Sequence, residues 1–314
     1  MIHEYHSNGK LLLTAEYLVL LGAEALALPL LKGQRLRVKP LIDNNKLIWK
    51  SIYQDTTFFE AVFNTKNIHI IQTNNEEQAA YLQNLLQKAM GYLPDLSSIP
   101  GFSVEAHLDF PLEWGLGSSS TLISNVAEWL NINPFKLNRA ITKGSGYDIA
   151  CANSERPILF QIPNKYPDYQ EINLNPPFKE SIFFIYTGKK QSSSDEVNNF
   201  LKNTKDYTHL FPKIKEINKR IMHSQSLREY EKALEEHEKL IASVLEIPPI
   251  QEKRFTDFPG TVKSLGAWGG DFIMATWEGQ REDLEKYFSH HNMDIIFSWD
   301  ELVKNRAGHR EILP

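Results

Sequence analysis

Two domains, each mixing strands and helices, are predicted from three features of the sequence. The first half is written largely in the two-residue alternation of half-buried strands. The second half carries long stretches with helical spacing. Between them, residues 162–178 form a loop rich in Pro and Asn, after which composition shifts and a new strand, Ile182–Tyr186, begins. A chain of 314 residues is long enough for two cores, so the boundary is placed in that loop, giving domains 1–175 and 176–314.

In order along the chain, Leu11–Leu13 and Leu18–Leu21 are short apolar runs suited to strands, and 33–38 alternates polar and apolar. Further strands are expected at 58–63, 68–72 and 101–108. The segment Glu76–Met90 has Leu82, Leu85, Leu86 and Ala89 on one helical face. A Gly- and Ser-rich turn then leads into an apolar helical segment, 121–130. In the second half, helices are expected near 194–201, 211–222, 227–245 and 281–288, with a glycine-rich turn running into a strand at 272–276. On the third of these helices Glu231, Glu235 and Glu238 are expected on the solvated face.

Composition bounds the function. Lys and Arg number 34 against 39 Asp and Glu, a net charge of −5, so no cationic excess exists to neutralise a nucleic-acid backbone. Cys151 is the single cysteine, which excludes an intrachain disulfide and a multi-thiolate zinc site. Residues 11–31 are apolar enough to suggest a leader or membrane segment, but Glu16 and Glu24 interrupt them. A cytoplasmic protein with a small-molecule partner, monomeric or homodimeric, without nucleic acid or membrane, is the expectation.

Three glycine-rich segments carry possible chemistry. Gly115-Leu116-Gly117-Ser118-Ser119-Ser120 follows an expected strand and opens an expected helix. Unpaired N–H groups at a helix N-terminus, approached closely over glycine, cradle an anion; the same string serves equally as an ordinary serine cap after a glycine turn. It fits neither the P-loop nor the dinucleotide fingerprint nor the nucleophile elbow. Gly144-Ser145-Gly146-Tyr147-Asp148 places a carboxylate just beyond a tight turn, either as a general base or as a helix cap. Lys263 to Asp271 holds small residues that let backbone approach a ligand or simply close a hairpin.

Taken in order, these segments resemble the motifs of the GHMP kinases. Asn8-Gly9-Lys10 through Glu16-Tyr17, with Gly22 to Ala27, resembles the first motif; Pro111 to Ser120 the second; Lys263 to Asp271 the third. Details such as Glu16-Tyr17, Tyr186-Thr187-Gly188 and Gly269-Gly270-Asp271 are most similar to the mevalonate and phosphomevalonate kinase branch. The resemblance implies an α+β fold with a ribosomal-S5-like N-terminal domain and a ferredoxin-like C-terminal domain. It implies ATP and Mg²⁺, with transfer of the γ-phosphoryl group to a metabolite hydroxyl or phosphate in the mevalonate pathway. A sugar or homoserine kinase, or an inactive nucleotide-binding homologue, are the alternatives.

By the same resemblance Asp148 is the catalytic carboxylate and Lys10 its cationic partner. Gly115, Leu116, Gly117, Ser118, Ser119 and Ser120 bind ATP phosphates, with Ser119 facing Mg²⁺. Glu16, Tyr17, Ser145, Gly146, Gly266, Ala267 and Gly269 line the acceptor site. The sequence departs from the family pattern at several positions. Asn8 stands where proline is usual, Ala15 and Trp268 where glycine is, and Ser120 where alanine is. Ser119 and Asp148 are 29 residues apart, and no Asp or Glu lies between Glu128 and Asp148. A helix of the family, with its magnesium-binding glutamate, is therefore expected to be missing, and Trp268 is expected either to fill the space or to stack on a surface hairpin.

Overall fold

The computed structural model describes residues 1–42, 45–93, 101–189, 193–202, 205–266, 268 and 270–306. The described strands are β1 (His3–Leu12), β2 (Ala25–Leu41), β3 (Lys46–Tyr53), β4 (Thr56–Asn64), β5 (Ile70–Thr73), β6 (Gly101–Leu108), β7 (Ile158–Gln161), β8 (Asp168–Glu171), β9 (Ile182–Tyr186), β10 (Val262–Ser264), β11 (Phe272–Thr276) and β12 (Ile296–Ser298). The described helices are α1 (Glu76–Met90), α2 (Ser118–Trp129), α3 (Pro134–Ile141), α4 (Tyr147–Ala152), α5 (Ser193–Leu201), α6 (Phe211–His223), α7 (Leu227–Leu245), α8 (Ile250–Arg254), α9 (Arg281–Ser289) and α10 (Trp299–Leu302). The mixture of sheet and helix expected from the sequence is present.

Two compact units interleave along the chain. The first comprises Met1–Gly9, Lys32–Leu112 and Gly117–Asn153; the second comprises Lys10–Leu31, Glu113–Leu116 and Ser154–Pro314. They change over inside β1, inside β2 and at the glycine segment, as well as near residue 153.

In the first unit the strand order is β5-β4-β3-β6-β2, antiparallel except where β3 runs parallel to β6. Alternation makes this sheet one-sided: Leu36, Val38, Leu47, Trp49, Phe59, Ala61, Phe63 and Val104 point inward, as the period of two requires. Leu82, Leu85, Leu86 and Ala89 of α1 join that core together with Ile123 and Val126 of α2. Asn75 caps α1 by accepting from the Gln78 N–H at 3.1 Å.

In the second unit a four-stranded antiparallel sheet has the order β10-β11-β9-β12. Phe183, Ile185, Ile273 and Ala275 pack with Phe255, Phe258, Leu284 and Phe288. β7 pairs with the first residues of β2 and with β8.

Several sequence expectations are corrected. Leu18–Leu21 is a 3-10 turn, not a strand: Ala15 and Tyr17 sit at φ 62° and 63°, and such a backbone cannot extend into a ladder. β3, β7, β8, β10 and β12 lie where no strand is expected from the sequence, and β8 falls within the segment read as loop. The interval between Ser119 and Asp148 holds a helix after all, α3, capped by Asn133 and carrying Pro134 in its first turn. Trp268 therefore has no missing helix to replace, although it is buried, 6% exposed. Glu238 is also buried, because α7 turns a stripe of Tyr230, Leu234, His237, Glu238 and Ile241 inward. Residues 11–31 form the end of β1, the 3-10 turn and the start of β2. Among the described residues no helix is long and apolar enough to cross a membrane.

Candidate active site

The glycine segment is built as an anion cradle would be. Gly117, at φ 98°, takes the N-cap position of α2, and no described side chain caps that end. The left-handed conformation suits glycine and leaves the first-turn N–H groups to an outside acceptor. The serines divide the work. Ser120 is buried and donates to the Gly117 carbonyl at 2.9 Å, bracing the turn, whereas Ser119 is exposed. Thr121 ties the helix to the sheet, donating to Gln34 Oε1 at 2.8 Å.

Ser119 Oγ is hydrogen-bonded to the Tyr81 hydroxyl of α1. Asp148, half-buried in the first turn of α4, accepts from the Ile149 N–H at 3.0 Å. Crowding around its hydroxyl raises the Tyr81 phenol above its ordinary value; the bond to Ser119 opposes this and the charge of Asp148 adds to it. Tyr81, Ser119 and Asp148 are thus electrostatic neighbours within the first unit. Gly146, the N-cap of α4 at φ 92°, packs against Phe135, and Ser145 Oγ accepts from the Tyr147 N–H at 3.4 Å.

In the second unit Lys10 reaches the other end of the glycine segment. Its Nζ donates to the Gly115 carbonyl at 2.8 Å and its backbone N–H to the Leu116 carbonyl at 2.9 Å. Gly115, at φ 66°, lies under Asp271: a Cβ there would come within 2.3 Å of the carboxylate. Gly266 turns at φ 65° with open space around its Cα. Ala267 and Gly269 lie outside the described residues.

Glu16 is fully enclosed, 1% exposed. Its Oε1 accepts from Lys263 Nζ at 2.5 Å, and Lys263 also donates to the Ser264 carbonyl at 2.7 Å. Glu238 stands 3.9 Å from the same ammonium and accepts from the Ser264 hydroxyl at 3.0 Å. Burial pushes Glu16 from 4.5 to about 7, with Lys263 pulling it back, and raises Glu238 for the same reason. His237 Nε2 accepts from the Ala15 N–H at 2.8 Å, which puts the imidazole proton on Nδ1. Burial first and Lys263 second hold that ring neutral, well below its ordinary 6.5. Ala15 itself, at φ 62°, adopts a conformation that glycine takes at less cost. Tyr17 accepts from the Trp268 backbone N–H at 3.2 Å.

Sequence reasoning missed Tyr81, His237 and the roles of Lys263 and Glu238. A Tyr on a helix and a His in a charged helix carry no local signal; only contacts remote in sequence define them. Among the described residues no group of three or more His, Cys, Asp or Glu side chains is placed to hold a metal ion.

This arrangement of strands and helices is that of a known class: the chain has the GHMP kinase fold. The mevalonate kinase of Methanococcus jannaschii superposes with a TM-score of 0.69 at 17% identity, covering 98% of each chain. The phosphomevalonate kinase of Streptococcus pneumoniae, in complex with phosphomevalonate and AMPPNP, matches with a TM-score of 0.69 at 17% identity, over 94% of this chain and 99% of that one. The galactokinase of Lactococcus lactis, complexed with galactose, matches with a TM-score of 0.62 at 15% identity, over 92% and 88%. No protein-family model and no curated protein matches the sequence itself.

Proposed function

We propose that the protein is an ATP-dependent small-molecule kinase of the GHMP type, acting on a mevalonate-pathway metabolite. The observation that carries this reading is the uncapped N-terminus of α2, opened by Gly117 at φ 98° and set in a fold shared with kinases along nearly the whole chain. The ATP phosphates sit over Gly115 to Ser120, where the first-turn N–H groups and the helix dipole offset their charge. MgATP enters as the substrate, its cation facing Ser119 and keeping most of its waters and phosphate oxygens, as a hard ion does.

Asp148 accepts the proton of an acceptor hydroxyl as its oxygen attacks the γ-phosphorus. The bond from that phosphorus to the bridging oxygen breaks, and ADP leaves. Lys10, the cationic partner that the motif resemblance assigns to Asp148, offsets charge at the attacking oxygen. By the motif resemblance, Glu16, Tyr17, Ser145, Gly146, Gly266, Ala267 and Gly269 are the residues assigned to binding the acceptor. The two family domains are 1–175 and 176–314, and the protein works in the cytoplasm as a monomer or homodimer. An ATP-consumption screen with mevalonate, phosphomevalonate, homoserine and common sugars tests the reading. Turnover of one acceptor, abolished by Asp148→Asn, supports it; turnover of a sugar alone moves the assignment to the galactokinase side. No turnover with any of them, and no nucleotide binding, overturns it.

A further inference from the structure

Tyr81 belongs to none of the three glycine segments, yet its hydroxyl meets the exposed serine of the phosphate loop. The side chain as a whole is 37% exposed. The packing of α1 rests on Ala79, Leu82, Leu85, Leu86 and Ala89, and Tyr81 lies on the flank of that stripe. A tyrosine kept only for its ring would not bring its oxygen to Ser119 and within the field of Asp148. A serine hydroxyl has one proton and two lone pairs, and either oxygen of this pair is able to donate. When the Ser119 hydroxyl donates its hydrogen bond to Tyr81, both Oγ lone pairs turn outward, the orientation a cation requires. The phenol proton then remains available for a phosphate oxygen. The 29 residues from Ser119 to Asp148 hold one acidic side chain before Asp148, Glu128, on the far turn of α2. No carboxylate stands beside Ser119 in sequence to take this orienting role.

We propose that Tyr81 is a positioning residue for the phosphate site: its oxygen accepts the hydrogen bond of the Ser119 hydroxyl and so directs the Ser119 Oγ lone pairs at the cation of MgATP. The inference rests on the kinase reading above. It separates Tyr81 from a structural residue, because its effect depends on the cation. Calorimetry of ATP binding to the wild type, Tyr81→Phe, Ser119→Ala and the double variant, each with Mg²⁺ and with EDTA, tests it. Tyr81→Phe keeps the ring, and its melting temperature without nucleotide is expected to match the wild type. Its affinity for MgATP is expected to fall about fivefold or more, the scale of one hydrogen bond near charge, while its affinity for Mg²⁺-free ATP stays unchanged. The double variant is expected to bind no worse than Ser119→Ala, since the two residues act through one contact. Unchanged MgATP affinity, an equal loss without Mg²⁺, or additive losses would each overturn the role of Tyr81. A wild type that binds no nucleotide would overturn the kinase reading as well, and the two failures are thereby told apart.

Discussion

Lys263→Met removes the ammonium from between Glu16 and Glu238, and its cost should depend on pH in a defined way. With Lys263 present, Glu16 binds a proton up to about pH 7, against 4.5 for an exposed carboxyl. The folded state therefore holds more protons than the unfolded state between those values, and stability falls as pH rises through that window. Lys263 is what limits the rise, by its charge and its hydrogen bond. Without it the folded-state value moves above 7, and the window of falling stability extends upward, by about 1.4 kcal/mol for each further unit. At pH 6 both proteins carry a protonated Glu16, and the variant loses only the bonds to Glu16 and Ser264, about 1–2 kcal/mol. At pH 8.5 it must ionise unpaired buried carboxyls or keep them protonated, and the loss grows to about 3–5 kcal/mol. His237 works in the same direction. Lys263 helps to depress it, so the variant eases the penalty that a neutral buried histidine imposes below pH 6.5. Urea denaturation at the two pH values reads the difference directly. An equal loss at both would refute the idea that Lys263 serves to hold buried negative charge.

Three other substitutions probe the site and its support. Asp148→Asn is expected to lower kcat about 100-fold or more with MgATP affinity little changed, the scale of losing a general base; near-normal turnover in a steady-state assay would remove Asp148 from the mechanism. Gly117→Val forces a β-branched residue to φ 98° at the N-cap of α2. It should abolish ATP binding in calorimetry while the circular dichroism spectrum stays folded, since backbone can no longer approach the phosphates. Trp268→Gly is expected to cost about 3–5 kcal/mol, as for removal of a large buried aromatic, even though it restores the usual residue of the motif. An unchanged denaturation midpoint would show that the ring fills no space that matters.

Much of this protein was legible in the sequence because much of it is local. The stripe of Leu82, Leu85, Leu86 and Ala89 makes α1 an amphipathic helix wherever it lies, and 33–38 and 101–108 alternate because one face of each strand meets a core. The order of the three glycine segments pointed to the fold through their resemblance to the GHMP kinase motifs, and the glycine turns themselves are visible one residue at a time because a positive φ is demanded locally. The errors have a different cause. Leu18–Leu21 is apolar like a strand, but the backbone at Ala15 and Tyr17 turns left-handed first, held by the bond from Ala15 to His237 of α7. Glu238 looked solvated because a carboxylate is charged in isolation; its burial is decided by Lys263 and Ser264, which reach it from another part of the chain. The sequence by itself determined the periodic elements and the glycine turns, where a residue and its near neighbours set the energy. Only the tertiary structure decided which polar groups meet, Tyr81 with Ser119 and Glu16 with Lys263, because such partners are separated by 38 and 247 positions and no local rule connects them.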